Sequence, residues 1–120
     1  MNPDTRAAVA FIAGTLIAPR SATSVYDYSQ AAYRQMSGTV RPNSVNLFDH
    51  TAGYSITGSG SPQSLSLYHY GQGGHINLSV QRNTFSGYDY STGTHFNGTV
   101  SGQSISLYDY GEGRYFSYTI

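Results

Sequence analysis

Histidines at 50, 69, 75 and 95 share the chain with Asp49, Asp89 and many serines, so the parts of a Ser, His, Asp triad are present. Parts are not a site. No Gly-x-Ser-x-Gly elbow occurs, and such a strained turn is what presents a nucleophilic serine. The Asp positions recur along the chain, whereas a catalytic constellation is normally built once. Asp49 beside His50 is the recurring Asp and Tyr pair with one member changed, which reads as a strand-end carboxylate bonding turn amides. A hydrolase using His and Asp is therefore the third reading of the chain. His75 and His95 fall on strands two apart, ~9.6 Å between backbones, while a shared Zn needs both nitrogens within ~2.1 Å. There is no His-x-His pair, no Cys for a thiolate and no Lys for an amine nucleophile. Neither a metal nor a cofactor is expected.

The aromatic residues carry a stronger pattern. Of 12 Tyr, most fall in pairs two residues apart. The pairs are Tyr26 and Tyr28, Tyr68 and Tyr70, Tyr88 and Tyr90, and Tyr108 and Tyr110, with Phe48 and His50 in register. Spacing by two puts both rings on one face of a strand, among Ser, Thr, Asn and His. Rings can serve there as cross-strand packing. They can equally serve as contact area, since Tyr offers rigid, amphipathic surface at low entropic cost. The candidate binding residues are Tyr68, Tyr70, Tyr88, Tyr90, Tyr108 and Tyr110, with His75 and His95 between them.

The first functional expectation is thus a non-catalytic interaction or assembly module working through this face or an exposed strand edge. Its partner would be another protein or an identical copy. A carbohydrate-binding module with Tyr stacking platforms is the alternative, a glycan being the ligand. Only 10% of residues are charged and the net charge is zero, which excludes the basic footprint of a nucleic-acid binder. Asn77-Leu78-Ser79 and Asn97-Gly98-Thr99 match the N-glycosylation acceptor pattern, which has meaning only in a eukaryotic secretory setting.

Two kinds of element must position these residues. Residues 4–18 predict a helix, with Asp4 or Thr5 as N-cap, an Ala-rich run apolar on all sides and Pro19 as terminator, a pattern that marks burial all round. It is too short to span a membrane. The rival reading, a signal peptide over residues 1–22, would make the protein secreted; absence of Cys otherwise points to the cytoplasm.

From residue 24 a 20-residue period governs the chain. Asp49, His69, Asp89 and Asp109 align, as do Gly53, Gly73, Gly93 and Gly113, and Ile56, Ile76, Phe96 and Phe116. A first copy over Val25 to Val40 aligns if its turn, Ser29 to Tyr33, is two residues longer. Each unit reads as strand, turn, strand, the Gly taking the left-handed position of the turn. A four-residue loop such as Tyr90 to Gly93 puts Phe85, Gly87, Asp89, Phe96 and Val100 on one face and the Tyr, His and Asn residues on the other.

The expected fold is mainly β: an antiparallel meander of about ten strands from five 20-residue hairpin repeats, curled or closed around the N-terminal apolar helix. A solenoid is disfavoured because it would stack the Asp row at ~4.8 Å. Inward Gly38, Gly58, Gly60, Gly87 and Gly98 would leave room for the helix, and an open sheet with the helix laid across it is the alternative. Gly87, within a strand, is expected to accept Ala without backbone strain. Residues 1–120 read as one domain, with the helix at 4–18 and five hairpin repeats over 24–120.

Overall fold

The computed structural model describes residues 1–120. Helix α1 runs over Pro3–Ile17. Asn2, not Asp4 or Thr5, is the cap: its Oδ1 accepts the Thr5 N–H at 2.8 Å, and Pro3, which needs no N–H partner, takes the first helical position. The helix opens one residue ahead of the expected 4–18 for that reason. Thr5 to Gly14 is buried without a break.

Ten strands follow: β1 Ser24–Asp27, β2 Ala32–Arg41, β3 Ser44–Asp49, β4 Tyr54–Ser61, β5 Ser64–His69, β6 Gly74–Gln81, β7 Thr84–Asp89, β8 Thr94–Ser101, β9 Ser104–Asp109 and β10 Arg114–Thr119. Each pairs antiparallel with the next, and β1 pairs with β10, so the meander closes into a barrel. The seam is short, Tyr26 opposite Thr119 and Asp27 opposite Tyr118, with the Tyr28 and Thr119 hydroxyls 3.0 Å apart. Closure abolishes sheet edges, which removes the exposed edge as a contact surface. Helix α1 touches β1, β2, β6, β8 and β9, strands spread around the barrel. Its residues Ala7 to Ala13 share one continuous core with the inward side chains of the strands. An all-round apolar helix with a closed sheet's inner face around it leaves neither surface in water.

Loop parity follows the four-residue reading. Asp89 stands opposite Thr94, Gly87 opposite Phe96 and Phe85 opposite Gly98. Gly93 adopts φ +69, and its N–H reaches the Asp89 carbonyl at 2.8 Å. The first unit departs from expectation. Asp27 is opposite Ala32, so this turn also has four residues, with Ala31 at φ +52 in the glycine's place. The two extra residues lengthen β2 to ten instead of the turn. An insertion of two preserves the in and out alternation of a strand, and here it adds one inward position, occupied by Arg34.

Gly87 lies outside the left-handed region, as expected, but the room expected above it is already filled. Its backbone is unstrained, yet an added Cβ would collide with the Asn77 carbonyl and stand 2.5 Å from Phe96 Cζ. The space above this glycine, like that above Gly98, is used by a phenyl ring, Phe96 over the former and Phe85 over the latter, rather than left to the helix. At Gly93 the nearest atom to an added Cβ is 3.6 Å away, so only conformational strain opposes substitution. Gly87→Ala is therefore expected to cost about 1–3 kcal/mol through overpacking, at least as much as Gly93→Ala at about 1 kcal/mol. Thermal melts of the two variants check that order.

Candidate functional site

Two concentrations of chemistry emerge, one inside the barrel and one outside. Asp27, Asp49, His69, Asp89 and Asp109 end alternate strands and point inward, each at most 1% exposed. Each fastens the following turn in the anticipated way. Asp49 Oδ1 accepts the Thr51 and Ala52 amides at 2.9 and 3.1 Å, Asp89 that of Ser91 at 3.0 Å, and Asp109 that of Gly111 at 2.9 Å. His69 does the same through Nδ1, which accepts from Gly71 and Gln72 at 3.1 and 3.3 Å. That geometry places its proton on Nε2.

The inward-facing oxygens do something that spacing along the chain did not announce. Asp109 Oδ2 meets Arg6 Nη1 and the Met1 amine, both at 3.2 Å. Asp49 Oδ2 meets Arg34 Nη2 at 3.0 Å, and the same guanidinium bonds Asp4. Gln72 joins Asp89 at 3.1 Å to the Thr5 hydroxyl at 2.7 Å. Asp49, Asp109 and, through Gln72, Asp89 thus grip the first turn of α1, where the helix dipole also favours negative charge, while Asp27 Oδ2, His69 Nε2 and Asp89 Oδ2 have no hydrogen-bond partner. The cue was present: Arg6 belongs to an otherwise apolar helix, and a buried guanidinium requires a carboxylate partner.

Burial works against the Asp109 carboxylate, but hydrogen bonds from the Met1 amine, Gly111 and Arg6 outweigh it and hold its pKa below the ordinary value. His69 moves down because burial disfavours its charged form more than Asp4, Asp49 and Asp89 favour it. Both shifts mean that the unfolded chain binds more protons than the folded one, so stability is lost on acidification. For His69 that loss begins below about pH 6.5, and for Asp109 below about pH 3.9. Protonating His69 at Nδ1 would also remove the acceptor of two turn amides. His69→Asn, which keeps an acceptor, is expected to flatten the melting temperature between those two values while leaving the acid limb intact.

The outer face holds the residues expected to bind. Tyr68, Tyr88 and Tyr108 are half-buried, while Tyr70, Tyr90 and Tyr110 are 57%, 64% and 56% exposed. His75 and His95 are exposed as well. The structure brings them together in threes. Tyr88 meets Tyr90 edge to face at 4.8 Å and His95 at 4.6 Å. Tyr68 meets Tyr70 and His75, each at 4.8 Å. Tyr108 meets Tyr110 at 4.8 Å and Tyr115 at 4.7 Å. Tyr26 does likewise with Tyr28 and Tyr33, each at 4.8 Å. Such edge-to-face pairs add ~0.5–1.5 kcal/mol beyond area burial. Tyr33 and Tyr115 lie outside the pattern of pairs, although hairpin register puts them where His75 and His95 stand: Tyr26 is opposite Tyr33 and Tyr108 opposite Tyr115. His75 and His95 do not converge; each stays against its own Tyr.

Between the Tyr88, Tyr90 and His95 group and the neighbouring Tyr110 lies an open cleft of about 880 Å³. Asn77, Ser86, Tyr88, His95 and Asn97 form its base, and Tyr90 and Tyr110 stand at its sides. Tyr110 is fixed by its N–H to the His95 carbonyl at 3.2 Å and by the Asn97 amide, which donates to its hydroxyl at 3.0 Å. Comparison with protein-family models, curated proteins and solved structures finds no match for the chain.

Proposed function

We propose that this protein is a non-catalytic contact module whose working surface is its outer Tyr-rich face, meeting a second copy of the chain or another protein. The observation that carries the reading is the exposure of large rings on a barrel whose interior is already filled. Seven Tyr, at positions 28, 33, 54, 70, 90, 110 and 115, are between 46% and 68% exposed, while the apolar strand faces are spent on the helix. Rings with a hydroxyl at the tip, among Ser, Thr and Asn, suit a wet interface. The net charge of the chain is zero, so no overall charge attracts or repels a partner at long range.

The test is the triple change of Tyr70, Tyr90 and Tyr110 to Ser. These side chains contribute little to the core, but each takes one edge-to-face pair with it, worth ~0.5–1.5 kcal/mol, so the triple variant should melt lower than the parent and still fold at room temperature. Association seen by light scattering should be lost, because interface energy concentrates in aromatic anchors. A triple variant that still associates, or one that unfolds, overturns the reading. A monomeric parent protein removes the second copy as the occupant.

A further inference from the structure

The aromatic groups encircle the barrel, and one flat partner covers only one side of it, so the cleft between β6 and β9 calls for its own occupant. Resting on the outer face being the working surface, we infer that this cleft is a binding site for a neutral oligosaccharide, centred on Tyr90 and Asn77. At about 880 Å³ it has the size of a small-ligand site. No charged side chain lines it, so a phosphate, carboxylate or ammonium group would be desolvated without a counter-charge.

Its polar groups exclude a purely apolar ligand as well. Asn77, Ser86 and His95 would be covered without partners, and each such group costs its desolvation. Asn77 is the telling residue. It occupies the place relative to Tyr90 that Asn97 holds relative to Tyr110, yet Asn97 bonds the Tyr110 hydroxyl and Asn77, half-buried, makes no side-chain bond within the chain. Its amide both donates and accepts, as a sugar hydroxyl does. The exposed rings of Tyr90 and Tyr110 supply apolar area in the cleft against which the C–H side of a pyranose would pack.

A smaller hollow of about 360 Å³ on the far side of Tyr90, lined by Ser66 and His75, shares Asn77 and Tyr90 with the cleft. The two together make a groove running across strands, which suits a chain of sugars better than a single one. Tyr90, 64% exposed, divides it and touches both halves.

The experiment titrates the folded protein with three probes: a β-linked glucan hexasaccharide, an α-linked mannan hexasaccharide and a uronic acid hexasaccharide, followed by side-chain amide and aromatic NMR signals. At least one neutral probe should shift Asn77 and the Tyr90 ring, and the acidic probe should not. Tyr90→Ser should weaken binding at least about tenfold and Asn77→Ala several-fold, with both variants fully folded at the titration temperature. No shift from either neutral probe at millimolar concentration, equal binding of the uronic acid probe, or undiminished binding by Tyr90→Ser overturns the proposal. If the neutral probes fail while the triple Tyr variant still loses association, only the oligosaccharide proposal falls. If the probes bind and the triple variant associates unchanged, only protein contact falls.

Discussion

Replacing Arg34 with Met should destabilise the protein by about 3–5 kcal/mol, although no apolar contact of the core is removed and chain length is nearly kept. Arg34 is 6% exposed and its Nη2 stands 3.0 Å from Asp49 Oδ2. The carboxylate of Asp49 is fully buried, whereas that of Asp4 is 42% exposed. Asp4 can be hydrated when the guanidinium goes; Asp49 cannot. The cost is therefore that of one uncompensated charge inside a closed barrel.

A second substitution isolates this origin. Arg34→Met with Asp49→Asn leaves no unpaired charge, and the carboxamide introduced at position 49 would keep an oxygen for the Thr51 and Ala52 amides. The double variant should recover most of the loss, because replacing both partners of a buried pair is close to neutral where removing one is not. Denaturant melts at neutral pH measure both. A single-variant loss below about 1 kcal/mol, the range of surface changes, would mean that the Thr51 and Ala52 amides and the helix N-terminus hold the Asp49 charge without Arg34.

The place of Arg34 shows which parts of this molecule the chain displays openly and which it does not. Period, turn glycines and loop parity are local properties, written within 20 residues, and they lead to hairpins in register with the Tyr rows outside. Closure is not local. It depends on strand number, stagger and tilt being mutually consistent, and on β1 meeting β10 across most of the chain through two residue pairs. The ion pairs are equally remote, Arg6 and Asp109 being separated by 103 positions. Assigning the two extra residues of the first unit to its turn instead of to β2 hides the inward position that Arg34 fills. Gly87 is legible as inward but not as capped by Phe96, since that depends on the twist bringing a neighbouring carbonyl and ring over it. In the candidate site, the Tyr pairs announce themselves by spacing of two. The cleft does not, because it arises from Ser86 being small between larger outward residues and from Asn97 holding Tyr110 to one side.

Phe11→Ala should cost about 3–5 kcal/mol, lost transfer energy plus the cavity left behind. Phe11 is 3% exposed near the middle of α1. The size of the penalty depends on whether the surroundings can collapse into the space. Here they resist, because the wall is a sheet whose strands are each hydrogen-bonded on both sides around the circle. Moving one strand inward would strain the ladders on both sides of it, and α1 is held at its first turn by Arg6 and Asp109. The upper end of the range is expected for that reason. Leu16→Ala gives the contrast, since Leu16 is only half-buried near the end of the helix and its site is open to rearrangement. An apolar void that persists in a rigid wall stays dry and accepts small apolar molecules, so benzene should raise the melting temperature of the Phe11→Ala variant and leave that of the parent unchanged. A Phe11→Ala loss under about 1 kcal/mol, with no response to benzene, would place the helix outside the barrel.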